Sequence, residues 1–248
     1  MLSVIARKSN PTSGTIDFAD YVNISYFSSD ISLPEQLKVF DFTLLLVSLN
    51  NMEEDSKYNE IVTLLKKFDL HNYASSQIAD LSFFQKRSLA ILGALINKPN
   101  LLILDEPTSA LDVSVQAQIL EFLKELQIKF SLSFLFISHD LSVIRHLCNR
   151  VAVMYLGEIV EEGLTTDIFH SPKHPYTQAL LNAVPFPQAK QPHREAPLTG
   201  DIPSPVDLPT GCNFYTRCPK MMKGTCETTS PILSELSESQ KVACHLHS

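Results

Sequence analysis

Apolar residues in this chain recur with two spacings, one helical and one continuous, and the two alternate. In SKYNEIVTLLKKFDL, residues 56–70, Ile61, Leu64, Leu65 and Phe68 fall at helical spacing with charges opposite them, which predicts an amphipathic helix. Residues 82–96 predict a second helix, opened by Ser82 as a cap and ended near Lys98-Pro99, where proline blocks continuation. LLIL, 101–104, is the short unbroken apolar run of a strand buried on both faces. VSVQAQILEFLKELQIKF then sets Val115, Ile119, Phe122, Leu123 and Leu126 on one side of a helix. SFLFI at 133–137, a helix near 140–148 and RVAVMYL at 150–156 continue the alternation, which predicts a parallel sheet with helices on its faces. Gly157 turns the chain into EIVEEG, read as an edge hairpin or a small antiparallel strand.

After about residue 185 the periodicity stops. PFPQAKQPHREAPLTGDIPSPVDLPTG is crowded with proline and reads as an extended linker over a surface, and residues 211–248 hold four of the five cysteines. No internal repeat is visible. At 248 residues and 44% apolar content the chain suggests one domain plus an appendage. A formal charge of -7 with no basic run argues against a nucleic-acid binder. The start of the chain lacks the charged-then-apolar pattern of a signal, and VFDFTLLLVSL, 39–49, contains Asp41 and falls short of the ~20 residues a span needs. A cytosolic location is therefore expected, where five cysteines are free thiols or metal ligands before they are disulfides.

Glycine is scarce. The chain has seven, against roughly seventeen at ~7% average usage, and none between Gly14 and Gly93. A phosphate cradle of successive backbone N–H groups needs glycines, as in G-x-x-x-x-G-K-[ST], and no such string occurs.

In LLILDEP the buried strand delivers Asp105 and Glu106 to its carboxyl end, where ligands sit in open parallel sheets. Adjacent carboxylates there divide the labour: Asp105 to hold Mg²⁺, Glu106 to orient and deprotonate an attacking water. The plain alternative is that DEP ends a strand and begins a turn. FISHD, at the end of the next predicted strand, adds His139, which stands beside the acidic pair if the strands are neighbours.

LLILDEPTSALD, FLFISHDLSVIRHLCNRVAVMYLGEIVEEG and SPKHPYTQALLNAVP resemble the ATP-binding subunits of ABC transporters, specifically those of oligopeptide and dipeptide importers, over roughly residues 9–248. The resemblance implies an α/β, P-loop NTPase-like ABC ATPase domain over 1–185, a parallel sheet with helices and a helical subdomain at about 30–95. A loop-rich, cysteine-containing extension would follow over 186–248. Asp105 then matches the Walker B magnesium carboxylate, Glu106 the catalytic glutamate and His139 the switch histidine. Ser109, Ala110, Leu111 and Asp112 match the loop that reaches across a nucleotide-sandwich dimer.

ATP and Mg²⁺ are the implied ligands. The implied partners are a second ABC ATPase subunit, transmembrane permease subunits and, indirectly, an extracytoplasmic peptide-binding protein. Such a subunit sits in the cytoplasm on the inner face of the membrane. NPTSGTIDF at 10–18 resembles the segment after the Walker A helix, so the chain is expected to start downstream of the phosphate loop, without the Walker A strand, loop and helix. The magnesium-sensing glutamine is unmatched in NISYFSSDISL.

LSFFQ, 81–85, aligns with the family signature LSGGQ, in which Ser82 and Gln85 keep their places in a γ-phosphate site at a helix start. Phe83 and Phe84 replace the glycines; their Cβ groups forbid some glycine conformations and their rings would fill phosphate space. The half-site is expected to be impaired. The alternative is a helix start with two core phenylalanines.

Cys212, Cys218, Cys226 and Cys244 are separated by five, seven and seventeen residues. Four thiolates on a loop-rich segment suit a metal that supplies folding energy. Structural zinc prefers a C-x2–4-C pair, which is missing, and iron–sulfur cubanes accept looser spacing. The resemblance implies a [4Fe-4S] cluster; zinc with His245 or His247, or unliganded thiols, are the alternatives. Cys148, on an apolar helix, reads as a core residue. The leading expectation is an importer ATPase subunit inactive by itself. A non-catalytic scaffold partner, a degenerate gene remnant and a metal-binding regulatory module built on the tail remain alternatives. The solute, whether oligopeptide, dipeptide or nickel, is not encoded in these motifs.

Overall fold

The structure is a computed structural model that describes residues 2–49, 54–109, 111–183, 200–201, 203–204 and 206–247. The chain divides into two compact units, Met1–His139 and Asp140–Ser248. No helix among the described residues is long and apolar enough to cross a membrane.

The first unit contains, in order, α1 (Leu2–Ile5), β1 (Ile24–Ser28), α2 (Val39–Ser48), α3 (Glu54–Lys67), α4 (Phe83–Leu95), β2 (Leu101–Asp105), α5 (Val113–Phe130) and β3 (Ser133–Ile137). Its sheet has the order β1-β2-β3, every pair parallel. β2 is central, and Leu102, Ile103 and Leu104 are fully buried, as an unbroken apolar strand covered on both faces requires. The register aligns Ser28, Asp105 and Ile137, so the three strands end level.

β1 lacks an apolar pattern of its own. In ISYFS only Phe27 is buried, and pairing along β2 makes the segment a strand. The run 39–49 contains α2, which buries Val39, Thr43 and Val47 four residues apart and leaves Leu45 exposed. Apolar residues on both faces hid its helical period. Thr43 satisfies its hydroxyl by donating to the Val39 carbonyl at 2.8 Å. α3 and α5 form where their periodicity places them: Ile61, Leu65 and Phe68 are buried, as are Ile119, Leu123 and Leu126, while Val115 and Phe122 pack partly buried against the same core. Ser131, left-handed at φ 52°, ends α5 and returns the chain to β3.

The second unit contains α6 (Leu141–Leu147), β4 (Arg150–Tyr155), β5 (Glu158–Leu164), α7 (Thr165–His170), α8 (Pro175–Ala183), β6 (Ser234–Ser237) and β7 (Gln240–Val242). RVAVMYL does not extend the parallel sheet. β4 pairs antiparallel with β5 in a second sheet of order β4-β5-β7-β6. The cause is local: Leu156 at φ 46° and Gly157 at φ 85° form a two-residue turn with both φ positive, whose twist matches a hairpin. EIVEEG is thus the second strand of that hairpin. β7, between Cys226 and Cys244, joins its far edge through Glu161↔Val242.

Glu161 on β5 is fully buried, and its carboxylate accepts from the Lys173 and His174 amides at 2.7 and 2.9 Å and from Gln240 Nε2 at 2.8 Å. Three donors compensate its charge. The core of this unit gathers Val153, Tyr155, Val160, Ile168 and Phe214. The expected proline-rich linker falls largely on residues 184–199, outside the described residues.

Candidate functional site

The carboxyl ends of β2 and β3 bring two expected residues together. Glu106 leaves β2 at φ 49°, and its amide donates to the Ile137 carbonyl of β3 at 3.1 Å. A left-handed glutamate before Pro107 is an uncommon conformation, held here by that cross-strand bond and by the Ser109 amide, which donates to the Glu106 carbonyl at 3.0 Å. The turn carries Glu106 to His139, with Oε1 and Nδ1 2.8 Å apart. His139 is mostly exposed, while Glu106 Oε2 is buried with no hydrogen-bond partner.

Asp105 has a partner that the sequence reading missed. The Tyr26 hydroxyl donates to Asp105 Oδ2 at 2.7 Å, and this bond, followed by burial, pushes the Tyr26 phenol above its ordinary range. The Lys8 ammonium sits 3.9 Å from the centre of the same ring. Only the register reveals the pair. Tyr26 precedes by two residues the position facing Asp105, so both lie on one face of the sheet.

At the signature-like stretch, Ser82 caps α4 in a reciprocal capping box: its hydroxyl accepts from the Gln85 amide at 3.3 Å, and its amide donates to Gln85 Oε1 at 2.8 Å. The two phenylalanines part company. Phe84 packs edge-on against Phe122 with centroids 5.7 Å apart, whereas Phe83 is 48% exposed with the Arg87 guanidinium 5.0 Å from its ring centre. Asp112 caps α5, accepting from the Val115 amide at 2.9 Å and the Ser114 hydroxyl at 2.6 Å; the Ser114 bond leads in lowering its pKa. Ala110 lies outside the described residues.

Each of these residues already carries a bond within the fold. One oxygen of Asp105 is committed to Tyr26, and Ser82, Gln85 and Asp112 are committed to their own helix starts.

The cysteine tail forms a second locus. Gly211 permits it: a Cβ there would lie 2.3 Å from the Cys226 carbonyl oxygen, the atom to which the Cys212 amide donates at 2.8 Å. Burial pushes the Cys212, Cys218 and Cys244 thiols up, and neighbouring thiols push them further: Cys226 and Cys244 act on Cys212, Cys212 and Cys226 on Cys218, Cys218 and Cys226 on Cys244. Two pairings from each of three thiols make six, so every pair among the four sulfurs is within electrostatic reach.

Each sulfur also receives a backbone N–H. Phe214, Lys220 and Leu246, each two residues on, serve Cys212, Cys218 and Cys244, and the Met222 amide donates to Cys226 Sγ at 3.4 Å. Among the described residues no group of three or more His, Cys, Asp or Glu is placed to hold a metal ion as the side chains stand. Cys148 is apart from these four, on the end of α6, with its thiol pushed up by burial.

Comparison with known proteins finds matches over both ends of the chain. The family described as ABC transporter matches residues 1–109, and the C-terminal region of oligopeptide/dipeptide transporters matches 160–226. AppF of Bacillus subtilis, named as an oligopeptide transport ATP-binding protein, is 44% identical over 203 residues, covering 80% of this chain and 61% of its own length. The protein y4tS of Sinorhizobium fredii, named for peptide ABC transport and ATP binding, is 46% identical over 74% of this chain and 52% of its own length. YkfD of Bacillus subtilis, named for oligopeptide transport and ATP binding, is 39% identical over 87% of this chain and 67% of its own length. The chain thus spans about half to three-fifths of the length of the first two relatives. Among solved structures, an ABC transporter chain described as of metal-chelate type, in an inward-facing conformation, aligns with a TM-score of 0.62 over 74% of this chain and 72% of its own, at 23% identity. That likeness concerns the fold alone.

Proposed function

The chain belongs to the ABC transporter ATP-binding proteins of the oligopeptide/dipeptide type, and we propose that it serves in peptide import as a subunit that does not turn over ATP by itself. ATP and Mg²⁺ are the ligands that this ATPase family implies. The observation that carries the reading is the Glu106–His139 contact of 2.8 Å at the end of β2, in a chain 44% identical to an oligopeptide transport ATP-binding protein. In this reading Glu106 is the base and His139 holds and orients its carboxylate. Both wait for phosphates that another chain segment or subunit supplies.

The partners are a second, competent ABC ATPase, facing Ser82, Gln85, Ser109 and Asp112, and permease subunits that meet the helical region at about residues 30–95. A peptide-binding protein acts with them outside the membrane. The working place is the inner membrane face. Cys212, Cys218, Cys226 and Cys244 of the extension hold an iron–sulfur cluster, which lends folding energy to a loop-rich segment.

The test is magnesium-dependent ATP turnover by the pure chain. The expected rate is indistinguishable from that of Glu106→Gln and from buffer; turnover that Glu106→Gln abolishes would overturn the proposal. The capping box at Ser82 and Gln85 favours a second reading, a scaffold that docks on a competent ATPase without sharing its nucleotide. Co-purification with such a partner separates the two. A scaffold binds equally with and without ATP, whereas a nucleotide-sharing subunit binds only with it.

A further inference from the structure

We infer that the Tyr26 hydroxyl closes Asp105 to divalent cations, so that the end of β2 takes one up only when this bond opens. The contact is an autoinhibitory device within the proposed nucleotide site, and it rests on that reading of Asp105. The family implies Mg²⁺ at this place, but Asp105 is already paired within the chain.

Tyr26 and Ser28 lie two residues apart on β1, hence on one face of the sheet, and Ser28 faces Asp105 across the ladder. The phenol reaches Asp105 Oδ2 at 2.7 Å, and the Ser28 side chain hydrogen-bonds the same phenol. The face of the ring is held by the Lys8 ammonium, 3.9 Å from its centre. Groups from two separate segments thus keep the hydroxyl on the carboxylate. Glu106, next along the chain, is tied by one oxygen in the same manner, Oε1 lying 2.8 Å from His139 Nδ1. Its Oε2 is buried without a partner. The strand end is therefore rich in acceptors, and Tyr26 is the donor that Asp105 already has.

A phenol proton and a divalent cation draw on the same carboxylate charge, so each weakens the hold of the other. Hydrogen bonds to ionised groups are the strong ones, worth about tenfold or more in an equilibrium. Lys8 adds a positive charge beside the ring, which opposes the arrival of another cation. The contrary arrangement is a hydroxyl that merely orients a carboxylate whose other oxygen binds the ion. Such a bond strengthens metal binding, and its loss weakens it. The sign of the Tyr26→Phe effect separates the two.

The full chain is titrated with Mn²⁺ without nucleotide, and free Mn²⁺ is read by electron paramagnetic resonance. Wild type, Tyr26→Phe, Asp105→Asn and the double variant are compared. Tyr26→Phe keeps the ring beneath Lys8 and removes one oxygen. The expected result is one site about tenfold tighter in Tyr26→Phe than in wild type, lost again when Asp105→Asn is added, while wild type and Asp105→Asn bind alike. Binding that Tyr26→Phe weakens or leaves unchanged would overturn the inference, as would a tight wild-type site that Asp105→Asn alone removes. If Tyr26→Phe does not fold, Lys8→Gln decides, because Lys8 is exposed and its charge lies on the same ring. It should tighten the Asp105-dependent site, and no change there overturns the inference. The ATP turnover assay is separate, so the reading of the chain as silent by itself stands or falls independently of this result.

Discussion

Phe83 and Phe84 are adjacent, identical in kind and unequal in consequence. The ring of Phe84 is packed among Phe122 and the α5 core, so Phe84→Ala is expected to cost about 2 kcal/mol of unfolding free energy. Phe83→Ala removes a half-exposed ring under Arg87 and should cost less than about 1 kcal/mol. Urea unfolding of the two variants checks the order, and a larger loss at Phe83 would refute the packing described. That Asp105, Glu106 and His139 lie at strand ends was legible because residue type, strand end and spacing coincide there. The sequence did not reveal Tyr26, whose bond to Asp105 depends on the register of two strands 79 residues apart. Nor did it reveal which phenylalanine faces inward, since the helix start at Ser82 fixes the phase only once the cap is known.

At the scale of elements, α3, α4, α5, β2 and β3 were legible because one apolar face or one unbroken run determines each. β4 was legible as a strand and misplaced as to its sheet, because the left-handed pair Leu156-Gly157 decides the partner and a single glycine does not announce it. β7 is a three-residue strand whose Gln240 and Val242 are buried only because β5 awaits them. Around β5, His174 is buried and accepts from the Tyr176 amide through Nδ1 at 3.0 Å, which requires a neutral ring. Burial, with the nearby charge of His247, lowers its pKa to about 4.

The folded value lies below the unfolded one of about 6.5, so between the two the unfolded chain binds more protons and stability rises with pH. The contribution is complete above about pH 6.5 and is lost as pH falls toward 4, by up to about 3 kcal/mol. Folding stability of wild type and His174→Gln, measured by urea between pH 7 and 4.5, should diverge in slope, the variant being flatter. Parallel slopes would show that His174 is accessible and titrates normally.

Across the whole molecule the two units have separate cores. Phe27 to Phe136 supply one and Val151 to Cys218 the other, and no described residue belongs to both. Units with separate cores can unfold separately, and a chain that contains two need not unfold as one. The two substitutions above then serve as labels. Phe84→Ala acts in the first core and His174→Gln in the second unit, so calorimetry at pH 7 should show two transitions, with Phe84→Ala lowering only one, by several degrees. Lowering the pH to 5 should depress the other, and His174→Gln should remove most of that acid effect and leave the first transition in place. A single transition that both Phe84→Ala and acid move together would mean that the units fold as one cooperative body. In that event His174→Gln would alter the acid response of the core around β2 as well, whereas independent transitions confine its effect to Asp140–Ser248.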